Sequence, residues 1–454
     1  MFVGRSKELQ DLNNYYENDR NGILILYGQP GIGKKTLLKH FLEGKEYYYY
    51  KAVSCSFLQQ RDYLSKYLTG MGFSFSGLPD YQEILSSMGN GSMAKKIVVI
   101  DEFHHICKNT PEFLQEIEAQ LKEEENSLFF ILVSSQVSWV EELRELQKAV
   151  PEALEKRFYK MKELKYQDLI TYFDGFTKEE SLRAYSILGG IPGLWKYFNK
   201  NCSLKENMVE VVLKEGQPLF SLGQQLVAEE LRETAVYNTI LSCLAEGNEK
   251  LNELFHVTGF SRAKISVYLK NLMQPGLVEK AASMETKGRE FTKKGIYRIN
   301  HSYVQFYYRY LFGKESIIRQ MGREAFFEKM MSDFPSFIGE SFRLVCLEFI
   351  EKENDLGRLP GNFTYQGQWI GKKGNIDFIF EDIEEGEILA GMCSPKREAM
   401  TMEEYQCFLE CEKQSGINAD LIILFSCYGF DNYLRDTAKK NPRLALVSLE
   451  QMSF

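Results

Sequence analysis

No run of apolar residues in this 454-residue chain approaches the ~20 needed to cross a membrane as a helix. No leader-like segment precedes its first motif, so neither signal peptide nor anchor is expected. Clustered cysteines are missing too. The nine thiols are scattered, and only Cys407 and Cys411 stand close, in a helical pattern with no second ligand pair nearby. That disfavours a metal site, and reduced thiols in a cytoplasmic protein are expected. A surplus of positive charge is also lacking. With 55 Lys and Arg against 63 Asp and Glu, the net charge of -8 argues against wholesale nucleic-acid binding and leaves room only for a local basic patch. The remainder is ordinary globular composition, 44% hydrophobic and 26% charged. The length suits about three domains with real cores.

The chain is organised around Asn21–His40, NGILILYGQPGIGKKTLLKH. Its apolar run, Ile23 to Leu26, suits a strand buried on both faces of a parallel sheet. The next stretch, Gly28, Gln29, Pro30, Gly31, Ile32 and Gly33, is too broken by glycine and proline for helix or strand. From Lys34 a helical pattern follows, with Leu37, Leu38 and Phe41 on one side. Strand, glycine loop, lysine and helix make the phosphate-binding loop G-x-x-x-x-G-K. Glycines turn successive backbone N–H groups onto phosphate oxygens, the helix N-terminus adds partial positive charge, and Lys34 reaches the outer phosphates. ATP or ADP with Mg²⁺ is the expected ligand. One position departs from the pattern. Where Ser or Thr should supply a hydroxyl to Mg²⁺ stands Lys35, and Thr36 is turned roughly 100° further round the helix. Phosphate binding survives this defect better than hydrolysis does.

A second apolar run, Ile97 to Ile100, ends in Asp101-Glu102. A buried strand with two carboxylates at its C-terminal edge places Asp101 to hold Mg²⁺, directly or through water, and Glu102 to polarise the attacking water. His104 and His105 read as loop or helix-start residues. Leu128 to Val133 repeats the pattern and ends in Ser134-Ser135.

The segment F-V-G-R-x-x-E-L at Phe2 to Leu9, upstream of the loop, resembles the opening motif of AAA+ and STAND-type ATPases. The resemblance implies a place for Val3, Gly4 and Arg5 along the nucleotide's base and sugar. It implies that Ser134 or Ser135 senses the γ-phosphate, the alternative being a plain strand end. It offers Arg157 as a contact to the terminal phosphate, against an arginine on a solvated helix face. Gly189-Gly-Ile-Pro-Gly193, an interhelical turn by composition, resembles the helical-lid motif of these ATPases and brings Pro192 toward the nucleotide.

Further on, two helices, a turn at Thr258-Gly-Phe and a helix capped by Ser261 precede two strands around a charged loop, which reads as helix-turn-helix plus wing. From Ser261 to Asn300 there are nine Lys or Arg against three Glu. Arg262, Lys264 and Lys270 on the recognition helix, with Lys287, Arg289, Lys293 and Lys294 on the wing, are the candidate contacts to double-stranded DNA. Protein docking is the other use of such a module. His301 to Phe312, rich in aromatics, reads as a core helix linking modules.

From about Phe337 the order is helix, three strands, helix, strand, helix, strand, which resembles the PD-(D/E)xK nuclease core. Asp377 matches its metal-binding Asp. Met392-Cys393-Ser394 stands where the resemblance calls for Glu-x-Lys, Arg343 where the first helix usually offers Glu, and Lys396 lies past Pro395. A nuclease fold without nuclease activity is expected, and a protein partner could dock on it. The whole resembles a bacterial and archaeal family joining AAA-type ATPase, winged helix and restriction-endonuclease-like domain. The expected class is α/β, divided as ATPase core 1–165, helical lid 166–230, winged helix and linker 231–312, and nuclease-like domain 313–454. Its expected role is a nucleotide-dependent switch with weak hydrolysis. The alternatives are a Mg²⁺-dependent ATPase motor and a DNA-binding regulator with a structural nucleotide site.

Overall fold

In the computed structural model, residues 2–18, 21–89, 95–123, 127–148, 157–231, 234–281, 283–284, 295–372 and 374–454 are described. The run Gly22–Tyr27 forms strand β1 with every residue buried. It lies inside a five-stranded sheet with β2 (Tyr47–Lys51), β3 (Lys96–Asp101), β4 (Leu128–Ser134) and β5 (Arg157–Lys160). The strand order is β2-β3-β4-β1-β5 and every neighbouring pair is parallel. Parallel strands covered on both faces must be apolar throughout, which is why β1, β3 and β4 read as unbroken runs. Their side chains alternate between two cores. Leu24 and Leu26 pack with Leu37, Leu38 and Phe41 of the helix Lys34–Phe41. Ile23, Ile25 and Tyr27 face the helices on the other side, with Leu64, Leu85 and Phe113. The second strand ends at Lys51, before Ala52.

The chain divides into two compact units, Met1–Glu163 with Ile191–Gly193, and Leu164–Gly190 with Leu194–Phe454. The helical lid is therefore split: its tip packs with the first unit, and its helices share the core of the second. In the second unit, Glu348 on the helix Gly339–Asp355 accepts the N–H groups of Tyr166 and Gln167 at 2.8 and 3.0 Å, closing the N-terminus of the helix Tyr166–Tyr172. Gly223 lies against the Tyr307 ring, leaving no room for a Cβ. Tyr307 belongs to the aromatic helix Ser302–Tyr310, six of whose nine residues are buried.

The helices Thr234–Ala245, Leu251–Thr258 and Arg262–Met273 precede the antiparallel pair β6 (Val278–Ala281) and β7 (Ile296–Ile299). Ser261 caps the third helix by accepting the Lys264 N–H, and Ile265, Leu269 and Leu272 face inward. The last five strands, β8 (Phe363–Ile370), β9 (Asn375–Asp382), β10 (Ile388–Ser394), β11 (Leu421–Ser426) and β12 (Leu444–Ser448), form a mixed sheet in that spatial order. The β8–β9 and β9–β10 pairs are antiparallel, and β10–β11 and β11–β12 are parallel. No helix among the described residues is long and apolar enough to cross a membrane.

Candidate functional site

Gly28 to Lys34 wraps the C-terminal end of β1. Gly33 holds φ at 103°, a conformation that disfavours any side chain, and from there the helix Lys34–Phe41 begins. The buried Lys34 ammonium donates to the carbonyls of Gly28 at 2.6 Å and Gln29 at 3.1 Å. Burial pushes this lysine down to about 8, while Glu102 and Asp101 act in the opposite direction. The loop is braced from three sides. Arg5, itself buried, donates to the Ile32 carbonyl at 2.9 Å and pairs with Glu8. The Gln29 side chain donates to Glu163 at 2.8 Å. The lid tip closes on it: Gly193 N–H donates to the Gly31 carbonyl at 2.8 Å, and Pro192 packs over Gly33. A Cβ on Gly193 would stand 2.6 Å from the Gly31 Cα, so this approach requires glycine.

Asp101 closes β3 and is 1% exposed in its side chain. The Lys35 ammonium stands 3.2 Å from Asp101 Oδ2, and the Tyr49 hydroxyl donates to the same oxygen at 3.0 Å. Burial, and after it the proximity of Asp101, makes the Tyr49 hydroxyl a weaker acid than usual. Glu102 has φ of 57°, the one positive φ outside glycine among the described residues. This turn aims its carboxylate at Ser135, whose N–H donates at 3.0 Å and whose hydroxyl also donates to Glu102. The buried Ser134 hydroxyl meets His104 Nδ1 at 3.0 Å. Burial, and the neighbouring His105 after it, push His104 down to about 3, so the imidazole is neutral. Its 3.5 Å approach to Glu102 is thus no ion pair at neutral pH.

The expected phosphate loop, the pair Asp101-Glu102, Ser134 and Pro192 come together. Val3 and Gly4 precede Arg5, whose side chain braces the loop from beneath. Arg157 does not join them. Parallel pairing sets it beside Leu24 and leaves Lys160 beside Tyr27 at the loop end. Arg157 thus lies three residues down the strand, with its guanidinium over the Tyr15 ring at 4.8 Å, so the expected phosphate contact is corrected. Sequence reasoning missed Tyr49, His104 and the hold of Ser135 on Glu102. Mg²⁺ bound directly to Asp101 Oδ2 does not fit the residues present. The hydroxyl ligand is replaced by an ammonium, which together with a phenol fills the Asp101 oxygen.

On the helix Arg262–Met273, Arg262, Lys264 and Lys270 are exposed. Arg262 lies over Phe255 and donates to Asn252, and Lys264 lies over Phe260. Lys287, Arg289, Lys293 and Lys294 fall outside the described residues. Asp377 on β9 lines a cavity of about 370 Å³ with Glu340, Arg343 and Cys393. It accepts the Cys393 N–H at 2.8 Å, and burial pushes its carboxyl up. Arg343 pairs with Glu340 at 2.6 Å. Lys396 lies beyond the end of β10, 2.8 Å from Glu404.

The parallel sheet, the glycine loop and its buried lysine define a P-loop NTPase fold, followed by a winged-helix region and a C-terminal α/β domain. Residues 2–198 match a family described as "ATPase domain predominantly from Archaea". Residues 238–280 match "Bacterial regulatory protein, arsR family", and residues 307–404 match "Archaea bacterial proteins of unknown function". The first part of the chain is thus similar to an archaeal-type ATPase domain, and a later part to a winged-helix regulator. It is 27% identical over 394 residues to an uncharacterized protein of Methanocaldococcus jannaschii, covering 84% of each chain. Over 46 residues, 10% of this chain and 78% of the other, it is 41% identical to an uncharacterized ATP-binding protein of the same organism. Among solved structures it is similar to a Walker-type ATPase of Pyrococcus abyssi at 16% identity and a TM-score of 0.48, over 68% of this chain and 96% of that one. The Aeropyrum pernix ORC2 protein with ADPNP and ADP is similar at 16% identity and a TM-score of 0.43, over 70% and 95%.

Proposed function

We propose that this is a nucleotide-dependent switch of the AAA/STAND-like class, in which ATP or ADP binds the Gly28–Lys34 loop and is hydrolysed weakly at most. The observation that carries the reading is Lys34. A buried ammonium resting on two loop carbonyls, in a loop already braced by Arg5 and the lid tip, is a cation awaiting phosphate oxygens. Weak hydrolysis follows from Glu102, both of whose carboxylate oxygens are taken by Ser135, and from Lys35 in place of the hydroxyl. The output side is a winged helix whose Arg262, Lys264 and Lys270 face double-stranded DNA or a protein, with Lys287, Arg289, Lys293 and Lys294 proposed to join them from the wing. The C-terminal domain is a nuclease-like fold without nuclease activity and is available to a protein partner. Nine free thiols suit a cytoplasmic protein.

A thermal-shift titration with ATP and ADP tests the reading, together with phosphate release. Binding that raises the melting temperature, with turnover well below the roughly 1–10³ s⁻¹ of ordinary enzymes, is the expected result. Equal melting temperatures with and without saturating nucleotide would sink it. The exposed cations of the recognition helix favour a second reading, a DNA-binding regulator with a structural nucleotide. Salt-dependent DNA affinity that ignores nucleotide would select it.

A further inference from the structure

We propose that the Lys35 ammonium takes the place of the divalent cation, so that this site binds nucleoside di- and triphosphates without Mg²⁺. The inference rests on the nucleotide reading above and says which charge accompanies the phosphates. In a P-loop that works with Mg²⁺, the residue after the lysine supplies a hydroxyl and the acid ending the neighbouring strand supplies a carboxylate, and both serve the ion. Here the chain has exchanged one of those two ligands for a positive charge. The exchange is visible in the geometry. Lys35 reaches across the tip of β4 to Asp101, and its Nζ lies 3.2 Å from Oδ2, within ion-pair distance. The Tyr49 hydroxyl holds the same oxygen from β2 at 3.0 Å, fixing the carboxylate from the far side.

Mg²⁺ needs near-octahedral oxygen ligands at about 2.0–2.1 Å. An ion placed against Asp101 Oδ2 would have to displace the ammonium, and would still lack the hydroxyl. No group of three or more His, Cys, Asp or Glu side chains among the described residues offers an alternative cage. Lys35, by contrast, suits the task. Its side chain is 61% exposed, while Asp101 is 1% exposed, so the carboxylate is fixed and the ammonium is free to pivot. A four-carbon stem with three rotatable donors can share itself between Asp101 and a phosphate oxygen. Lys34 stands on the inner side of the loop and Lys35 on the outer, so the two cations can flank the β and γ phosphates. Lys34 and Lys35 also repel one another, which helps lower the Lys34 ammonium and would be relieved by a bound polyphosphate.

The test is calorimetric titration of ATP and of ADP into the full chain, once in Mg²⁺ and once in EDTA, for wild type and Lys35→Thr. Wild-type affinity is expected to change by less than about threefold between the two buffers, and Lys35→Thr to lose at least about tenfold in EDTA. Wild-type binding that collapses by tenfold or more in EDTA overturns the inference and leaves the nucleotide reading standing. Lys35→Thr that is as indifferent to EDTA as wild type overturns the role of Lys35. Binding absent in both buffers overturns both the inference and the reading beneath it. The wild-type comparison needs no variant, so a misfolded Lys35→Thr protein would not shelter the idea.

Discussion

Two carboxylates end up at comparable places in two sheets, and the chain has treated them differently. Asp101 closes β3 of the parallel sheet, and Asp377 lies on β9 of the mixed one. Asp101 is the acid that a metal-dependent enzyme on the P-loop fold would use, Asp377 is the one that the proposed nuclease-like reading marks for a metal, and each already has donors beside it. Asp101 is met by an exposed ammonium and a phenol. Asp377 is met by the Cys393 N–H, with the Arg343 guanidinium nearby but committed to Glu340. The first arrangement is exchangeable because its cation sits in water. The second is partly buried at the side of a cavity, and burial favours the neutral acid. One site has changed its cation, and the other has lost the setting for one.

The sharpest way to break the comparison is to remove the loop lysine. Lys34→Ala should abolish nucleotide-induced stabilisation, because it removes the buried cation of the loop and leaves only backbone amides and the exposed Lys35, which is shared with Asp101, to meet the phosphates. A thermal shift as large as wild type would refute this. Next in size is turnover. Lys35→Thr restores the hydroxyl and should raise phosphate release in Mg²⁺ by about tenfold or more, and Glu102→Gln in that background should remove the gain. An unchanged rate would mean that the hold of Ser135 on Glu102, rather than Lys35, limits hydrolysis.

The pH dependence follows from Lys34, lowered from 10.5 to about 8. Phosphate binds the protonated form and draws a proton onto the lysine. Affinity should therefore hold below pH 8 and fall as the pH rises through it, by up to about tenfold per unit. In folding the sign is different. The unfolded chain holds this proton more firmly between 8 and 10.5, so burying the ammonium opposes folding fully below 8, and the penalty fades toward 10.5. Titration in buffers of differing ionisation enthalpy would show the proton uptake. Uptake of none at pH 8.5 would contradict it.

The smallest effect belongs to the other carboxylate. Asp377→Asn keeps an oxygen for the Cys393 N–H and removes a charge that burial disfavours. It should shift stability by no more than about 1 kcal/mol, in either direction. Neither it nor the wild type should cut DNA with Mg²⁺ or Mn²⁺. Metal-dependent cleavage lost in Asp377→Asn would erase the contrast between the two sites and call Glu340 or Lys396 back into service.

Much of this could be read in the chain before any fold was known, and the reasons are local. Unbroken apolar runs declared β1, β3 and β4, glycine and lysine spacing declared the loop, and Ser261 announced its helix. What stayed hidden depends on strand order and register. Nothing in the spelling of Tyr47 to Tyr50 says that the third tyrosine of the four will meet Asp101, since that needs β2 beside β3 in a particular register. Arg157 fitted the phosphate contact only weakly by position, against a plain solvated arginine, and parallel pairing sets it three residues before the loop end of β5. His104 read as a loop or helix-start residue, and it does open a short helix, but the burial that makes it a neutral partner of Ser134 is a property of the packed sheet. The basic residues of the wing were as legible as those of the recognition helix, but only the latter fall within the described residues.

The contact between Gly193 and Gly31 has a use as a clock. The Gly193 amide hydrogen is spent on a loop carbonyl, so it can exchange with solvent deuterium only when the lid tip lifts. Its exchange rate then counts lifting events directly, in the resting protein and with nucleotide present. A single amide, followed by mass spectrometry or NMR, would report how often the phosphate loop is uncovered.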